Sequence, residues 1–174
     1  MNGKRLSFFI AYALLTPLML LAQYVYLGST TGLDLGAVLA CSAGWLVPVP
    51  ASWLAGFGIG LIQDVFVGRT LGFCALSLSL VAMVTSWVRR FLNPRMPFAA
   101  CIAAMVSTGI GDCVSYAVLR LSKTQLAWEF FLRGILPYSL IWAFALIIPV
   151  NLMVNGLSGI IAMIWPDNRE KGSV

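Results

Sequence analysis

Two carboxylates stand inside apolar runs of this chain. Asp64 lies in Gly56-Phe-Gly-Ile-Gly-Leu-Ile-Gln-Asp-Val-Phe-Val-Gly68, and Asp112 follows Gly111. An ionisable group at the centre of a membrane helix costs roughly 2.5–3.5 kcal/mol on insertion scales, so it rarely faces lipid. Such a pair has three chemical uses: acid and base, steps in a proton or ion relay, or groups that pair helices together. A relay normally needs a longer series of titratable groups than these two. Gly56, Gly60, Asp64 and Gly68 recur every fourth residue, which on a helix forms one narrow stripe with the acid set among glycines.

Little else in the sequence points to turnover. There is no histidine, which removes the commonest general base and with it His-ligated metals, haem and Ser-His triads. No serine or threonine stands near a base with activating spacing, and no Gly-rich phosphate loop or metal-ligand pattern occurs. Cys41, Cys74, Cys101 and Cys113 all fall in apolar runs without C-x-x-C spacing and read as small packing residues. The sequence therefore predicts a protein that is not an enzyme and uses no cofactor or metal.

The elements that position the acids follow from composition. Of 174 residues, 60% are hydrophobic and 10% charged, and the mean hydropathy is +0.93; soluble domains carry about a quarter charged residues. Long apolar runs without the ~10-residue alternation of a β-barrel predict an all-α membrane protein, a six-transmembrane-helix bundle. The predicted spans are 6–27, 33–47, 51–67, 71–88, 97–119 and 132–155, a single polytopic domain over 1–174. Thr16-Pro17 marks a kink in the first, and Pro48-Val-Pro50 a tight turn after the second. The first span follows Lys4-Arg5 but is too long for a signal peptide and has no clear cleavage site, so it reads as a retained helix. A short amphiphilic tail is expected from the sixth span to Trp165. The net charge of +5 is scattered over short connections and fits contact with the lipid bilayer, not nucleic acid.

Lys4, Arg5, Arg89, Arg90, Arg95, Arg169 and Lys171 collect on one side of this topology, and Arg69, Arg120, Lys123 and Arg133 on the other. The more basic side is expected to be cytoplasmic, with both termini inside. The connection from Arg120 to Arg133, with Trp128, Phe130 and Phe131, is expected along the outer interface. Asp64 and Asp112 then rise roughly 20 and 22 Å from the inner ends of their helices, to similar depth in the outer part of the membrane. Arg69, Arg120 and Arg133 fall near that level. One expectation is an Asp–Arg lock between helices, with Arg69 and Arg133 as first partners. The other is that the acids are satisfied by hydroxyls, backbone or water. Small residues also line Gly36-Ala40-Gly44 and Ala104-Thr108-Asp112, faces suited to internal packing or to a partner's helix. Asn151 and Asn155 either bond across helices or mark the cytoplasmic end of the sixth span.

The ordered series of motifs resembles the bacterial rod shape-determining MreD family. Leu33-Asp34-Leu35 opens the second span. Gly56 to Asp64 leads through Gly68-Arg69-Thr70 to Leu71-Gly72-Phe73, and a long fourth span ends in Arg89-Arg90. Gly111-Asp112 lies in the fifth span, and Arg133-Gly-Ile-Leu-Pro137 enters the sixth. The family pattern is similar: a G-x-x-x-G-L-x-x-D segment, a short glycine turn, L-G, and later a second intramembrane Asp. The block over 56–72 is its most specific part. The resemblance implies a non-enzymatic scaffold of the bacterial cytoplasmic (inner) membrane, acting in cell shape and elongation. It would associate with an MreC-like single-span protein and help couple MreB filaments to peptidoglycan synthesis by RodA and a class B penicillin-binding protein. The arrangement is also similar to the S-components of energy-coupling-factor transporters, and a small-molecule-binding S-component or other small transporter subunit is the alternative reading. The structural and interaction residues expected are Asp64, Asp112, Arg69, Arg133, Gly56, Gly60, Gly68 and Gly72.

Overall fold

The computed structural model describes residues 3–27, 34–67, 72–92, 97–121 and 128–164. Among them the secondary structure is entirely helical. Helix α1 (Gly3–Ala22) continues through Pro17 and passes into a π-helical turn, Gln23–Leu27. Then come α2 (Leu35–Leu46), α3 (Ala51–Val67), α4 (Phe73–Val88) and α5 (Pro97–Leu121). A single turn, α6 (Trp128–Phe130), and a π segment, Phe131–Ile135, lead into α7 (Leu136–Ile164).

Lengths divide these helices into two groups. Segments Ser7–Val25, Phe98–Ala117 and Phe131–Ile161 are long and apolar enough to cross a membrane. Helices α2, α3 and α4 are apolar but shorter. The 12 residues of α2 rise only about 18 Å, against about 30 Å of hydrocarbon.

The reason a helix so short is stable lies in its surroundings. Helices α1, α3, α4, α5 and α7 form a closed ring in that order, each packed on its two neighbours and all five on α2. Every residue from Leu35 to Trp45 is buried, as expected of a helix that is apolar all round. Asp34 starts it by accepting from the Ala37 amide at 3.1 Å, an ordinary N-cap. Pro48 and Pro50 follow its end, with Val49-Pro50 cis; prolines cannot continue a helix there.

The ring turns its apolar side outward. Ile10, Leu14, Leu18 and Leu21 line the exposed stripe of α1, continued by Val25 in the π-helical turn, and Phe98, Ile102, Val106 and Ile110 that of α5. Ser42, Ser52, Thr85, Ser86 and Ser107 are buried instead, the reverse of a soluble domain. Their hydroxyls join helix to helix. Tyr12 and Ser42 lie 2.8 Å apart between α1 and α2, and Ser86 donates to the Gly44 carbonyl at 2.8 Å between α4 and α2. Thr85 meets Ser107 at 2.8 Å, and Ser107 donates onward to the Ala103 carbonyl at 2.6 Å. In lipid such bonds stabilise by about 0.6 kcal/mol each on average.

One boundary and one aromatic side chain differ from expectation. Helix α7 runs to Ile164, nine residues beyond the anticipated end of the sixth span, so an amphiphilic tail is replaced by continuing helix. Phe131, expected along the outer interface, is buried and stacked on Tyr116 with ring centroids 4.5 Å apart. Trp128, half exposed, completes that cluster at 5.2 Å from Tyr116.

Candidate functional site

Asp64 stands in the last turn of α3 and is 1% exposed. Its partner is the start of α4. One carboxylate oxygen, Oδ2, accepts from the Gly72 amide at 2.7 Å and the Ala75 amide at 3.3 Å, and Oδ1 accepts from Cys74 at 3.0 Å. The first turn of any helix leaves amides without intrahelical acceptors. The cap residue here is Gly72, at φ 102°, which has no side chain to supply one. Asp64 therefore caps α4 from the preceding helix, and its negative charge complements the positive end of the helix dipole.

The glycine stripe brings the two helices close enough for this reach. A Cβ at Gly56 would lie 2.7 Å from the Leu78 carbonyl oxygen and 2.7 Å from the Ala82 Cβ, and at Gly60 it would overlap the Ala75 backbone. Gly58, off the stripe, faces open space. The fold thus brings Asp64, Gly56, Gly60 and Gly72, all expected from the sequence, into one clasp; Gly68 and Arg69 lie outside the described residues.

Next to this clasp is a second polar cluster at the start of α2. Gln63 Nε2 donates to Asp34 Oδ1 at 3.0 Å, and Gln23 Oε1 accepts from the Leu35 amide at 3.0 Å. Gly36 makes room for the Gln63 amide, since a Cβ there would approach its Cδ to 2.9 Å. The cluster ties the end of α1, the start of α2 and the end of α3. Asp34 was legible as a cap from its place before an apolar run, but Gln63 carried no signal beside the acid that follows it.

Asp112 is placed elsewhere. It is half-buried on α5 and accepts a hydrogen bond from Ser139 on α7. Of the two arginines expected as first partners, Arg133 is among the described residues and Arg69 is not. Neither acid makes an ion pair among the described residues, and Arg133 is exposed in the π segment. The physical reason is supply: a helix N-terminus and a hydroxyl already provide donors to the two carboxylates, without desolvating a guanidinium. On the opposite end of the bundle, Arg89 lies over the Trp45 ring, 5.9 Å from its centroid, a cation–π contact between the ends of α4 and α2.

Chemically, these groups hold helices together. No three of Asp, Glu, His and Cys converge as metal ligands among the described residues. Cys41, Cys74 and Cys101 are buried and Cys113 is exposed, all as free thiols. Comparison with protein-family models, curated proteins and solved structures gives no match for this chain.

Proposed function

We propose that this chain is a polytopic membrane protein whose work is adhesion between helices rather than turnover. More particularly, we propose an MreD-like scaffold of the bacterial cytoplasmic membrane, a six-span bundle with both termini in the cytoplasm. In this reading α2, α3 and α4 cross as short spans inside or beside longer ones. A helix encased by protein need not match the full lipid thickness, because its ends are satisfied by protein groups such as Asp34 and Asp64.

The observation that carries the proposal is the division of labour between inside and outside. The acids of the spans and the buried hydroxyls of Ser42, Ser52, Thr85, Ser86 and Ser139 are engaged in bonds between helices, while the outward surface is a belt of large apolar side chains. A protein built this way presents to its membrane neighbours a surface for packing. The clasp of Gly56, Gly60 and Asp64 with the start of α4 falls within the ordered motif that most resembles the family. The partner expected is an MreC-like single-span protein, with MreB filaments, RodA and the class B penicillin-binding protein reached through it.

Depleting the chain from its own cells tests the role. Rod-shaped cells should widen into spheres while growth in mass continues, and labelled MreB filaments should stop moving around the cell. Unchanged shape and filament motion after full depletion would count against the scaffold.

A further inference from the structure

An open groove runs along the outside of the bundle where α5 meets the first turns of α7. Val106, Gly109, Ile110 and Cys113 line it from α5, and Leu136 and Leu140 from α7. It encloses about 470 Å³, and an adjoining hollow of about 590 Å³ continues it past Cys113 and Ala117 to Arg120 and Trp128. Each is within the ~300–1,000 Å³ range of small-molecule sites. Small residues form its floor at Gly109, Cys113 and Ala117, and a Cβ at Gly109 would stand 3.6 Å from Leu140 Cδ2.

We propose that this groove holds one phospholipid with an anionic headgroup, an acyl chain lying along α5 and the phosphate on Arg120. The proposal rests on the membrane reading above. Depth supports it first. Gly109 lies about 16 Å along the helix axis from Arg120, close to the thickness of one leaflet, half of ~30 Å. The groove is thus one lipid chain long, with its cation where a headgroup belongs. Charge supports it second. Arg120 is exposed and makes no ion pair among the described residues. Glu129, the next acid along the chain, is exposed and makes no ion pair with it. A guanidinium offers a planar fork for phosphate oxygens. The aromatic cluster supports it third, because Trp128, packed at a tilt against Tyr116 and Phe131, walls the cationic end, and tryptophan favours the headgroup level of a bilayer.

Native mass spectrometry tests this. The full chain is reconstituted in vesicles of equal phosphatidylglycerol and phosphatidylcholine, extracted in mild detergent, and its retained lipid counted. One phosphatidylglycerol per chain is expected, favoured about fivefold over phosphatidylcholine, a ratio that one cationic side chain near the surface supplies. Arg120→Gln should bring the ratio to about one, and Gly109→Phe should reduce retention of both lipids. Arg90→Gln, an exposed cation away from the groove, should leave both unchanged. Equal retention of the two lipids by the native chain, or an undiminished preference in Arg120→Gln, overturns the lipid site alone. Failure of the folded chain to enter vesicles overturns the membrane reading and this site with it.

Discussion

Three amides converge on Asp64, so the effect of losing it is larger than that of an ordinary surface acid. Asp64→Ala leaves those amides buried without an acceptor, and should lower stability by roughly 2–4 kcal/mol. Asp64→Asn keeps an acceptor oxygen but loses the charge, and should fall between Ala and the native residue. Thermal unfolding in mild detergent, followed by circular dichroism, checks the order; equal melting of all three would remove Asp64 from its capping role. Asp112→Ala should cost less, since it breaks a single side-chain bond to Ser139. From sequence, the expense of charge in hydrocarbon showed that both acids must find partners. It did not show which, because a backbone amide carries no residue-type signal, and a charged residue such as Arg133 is the easier partner to notice.

At the scale of elements, the clasp requires α3 and α4 to touch along Gly56 and Gly60. Gly60→Ala places a methyl group into the Ala75 backbone and should destabilise by about 1–3 kcal/mol, the usual range for overpacking. Gly58→Ala meets nothing within 4 Å and should be neutral or slightly stabilising, as helix propensity favours alanine by up to about 1 kcal/mol. The paired comparison in one unfolding series separates close packing from a general effect of glycine; equal losses at both positions would contradict it. Gly72→Ala should cost about 1–2 kcal/mol by a different route, because a φ of 102° strains any residue with a Cβ. The stripe was visible in sequence as a four-residue period. The position of α2 was not, since a short apolar run looks alike whether it is a marginal span or a pillar enclosed by five helices. Only the ring around it distinguishes them.

For the whole molecule, the ring predicts which thiols a reagent meets. After bound lipid has been washed out with excess detergent, a small apolar maleimide should modify Cys113 alone, and Cys41, Cys74 and Cys101 only after denaturation. Mass spectrometry of the labelled chain checks this, and rapid native labelling of Cys41, on the enclosed helix, would contradict the arrangement. The helical, apolar character was legible in composition and hydropathy, and Pro48 with Pro50 marked the turn that ends the central helix. The long continuation of α7 to Ile164 was missed because Asn151 and Asn155 read as a polar end. In the structure Val154 and Ser158, on the same helix, remain buried, so the polar residues are carried along by a face that keeps packing.

The central claim is that a bundle with its polar groups turned inward offers its apolar outer surface to a membrane partner. Co-expression with an MreC-like single-span protein, extraction in mild detergent and mass determination by light scattering after size exclusion test it most directly. One stable complex of fixed stoichiometry that survives dilution is expected. A folded chain that elutes alone and monodisperse, with the single-span protein in a separate peak, would contradict it.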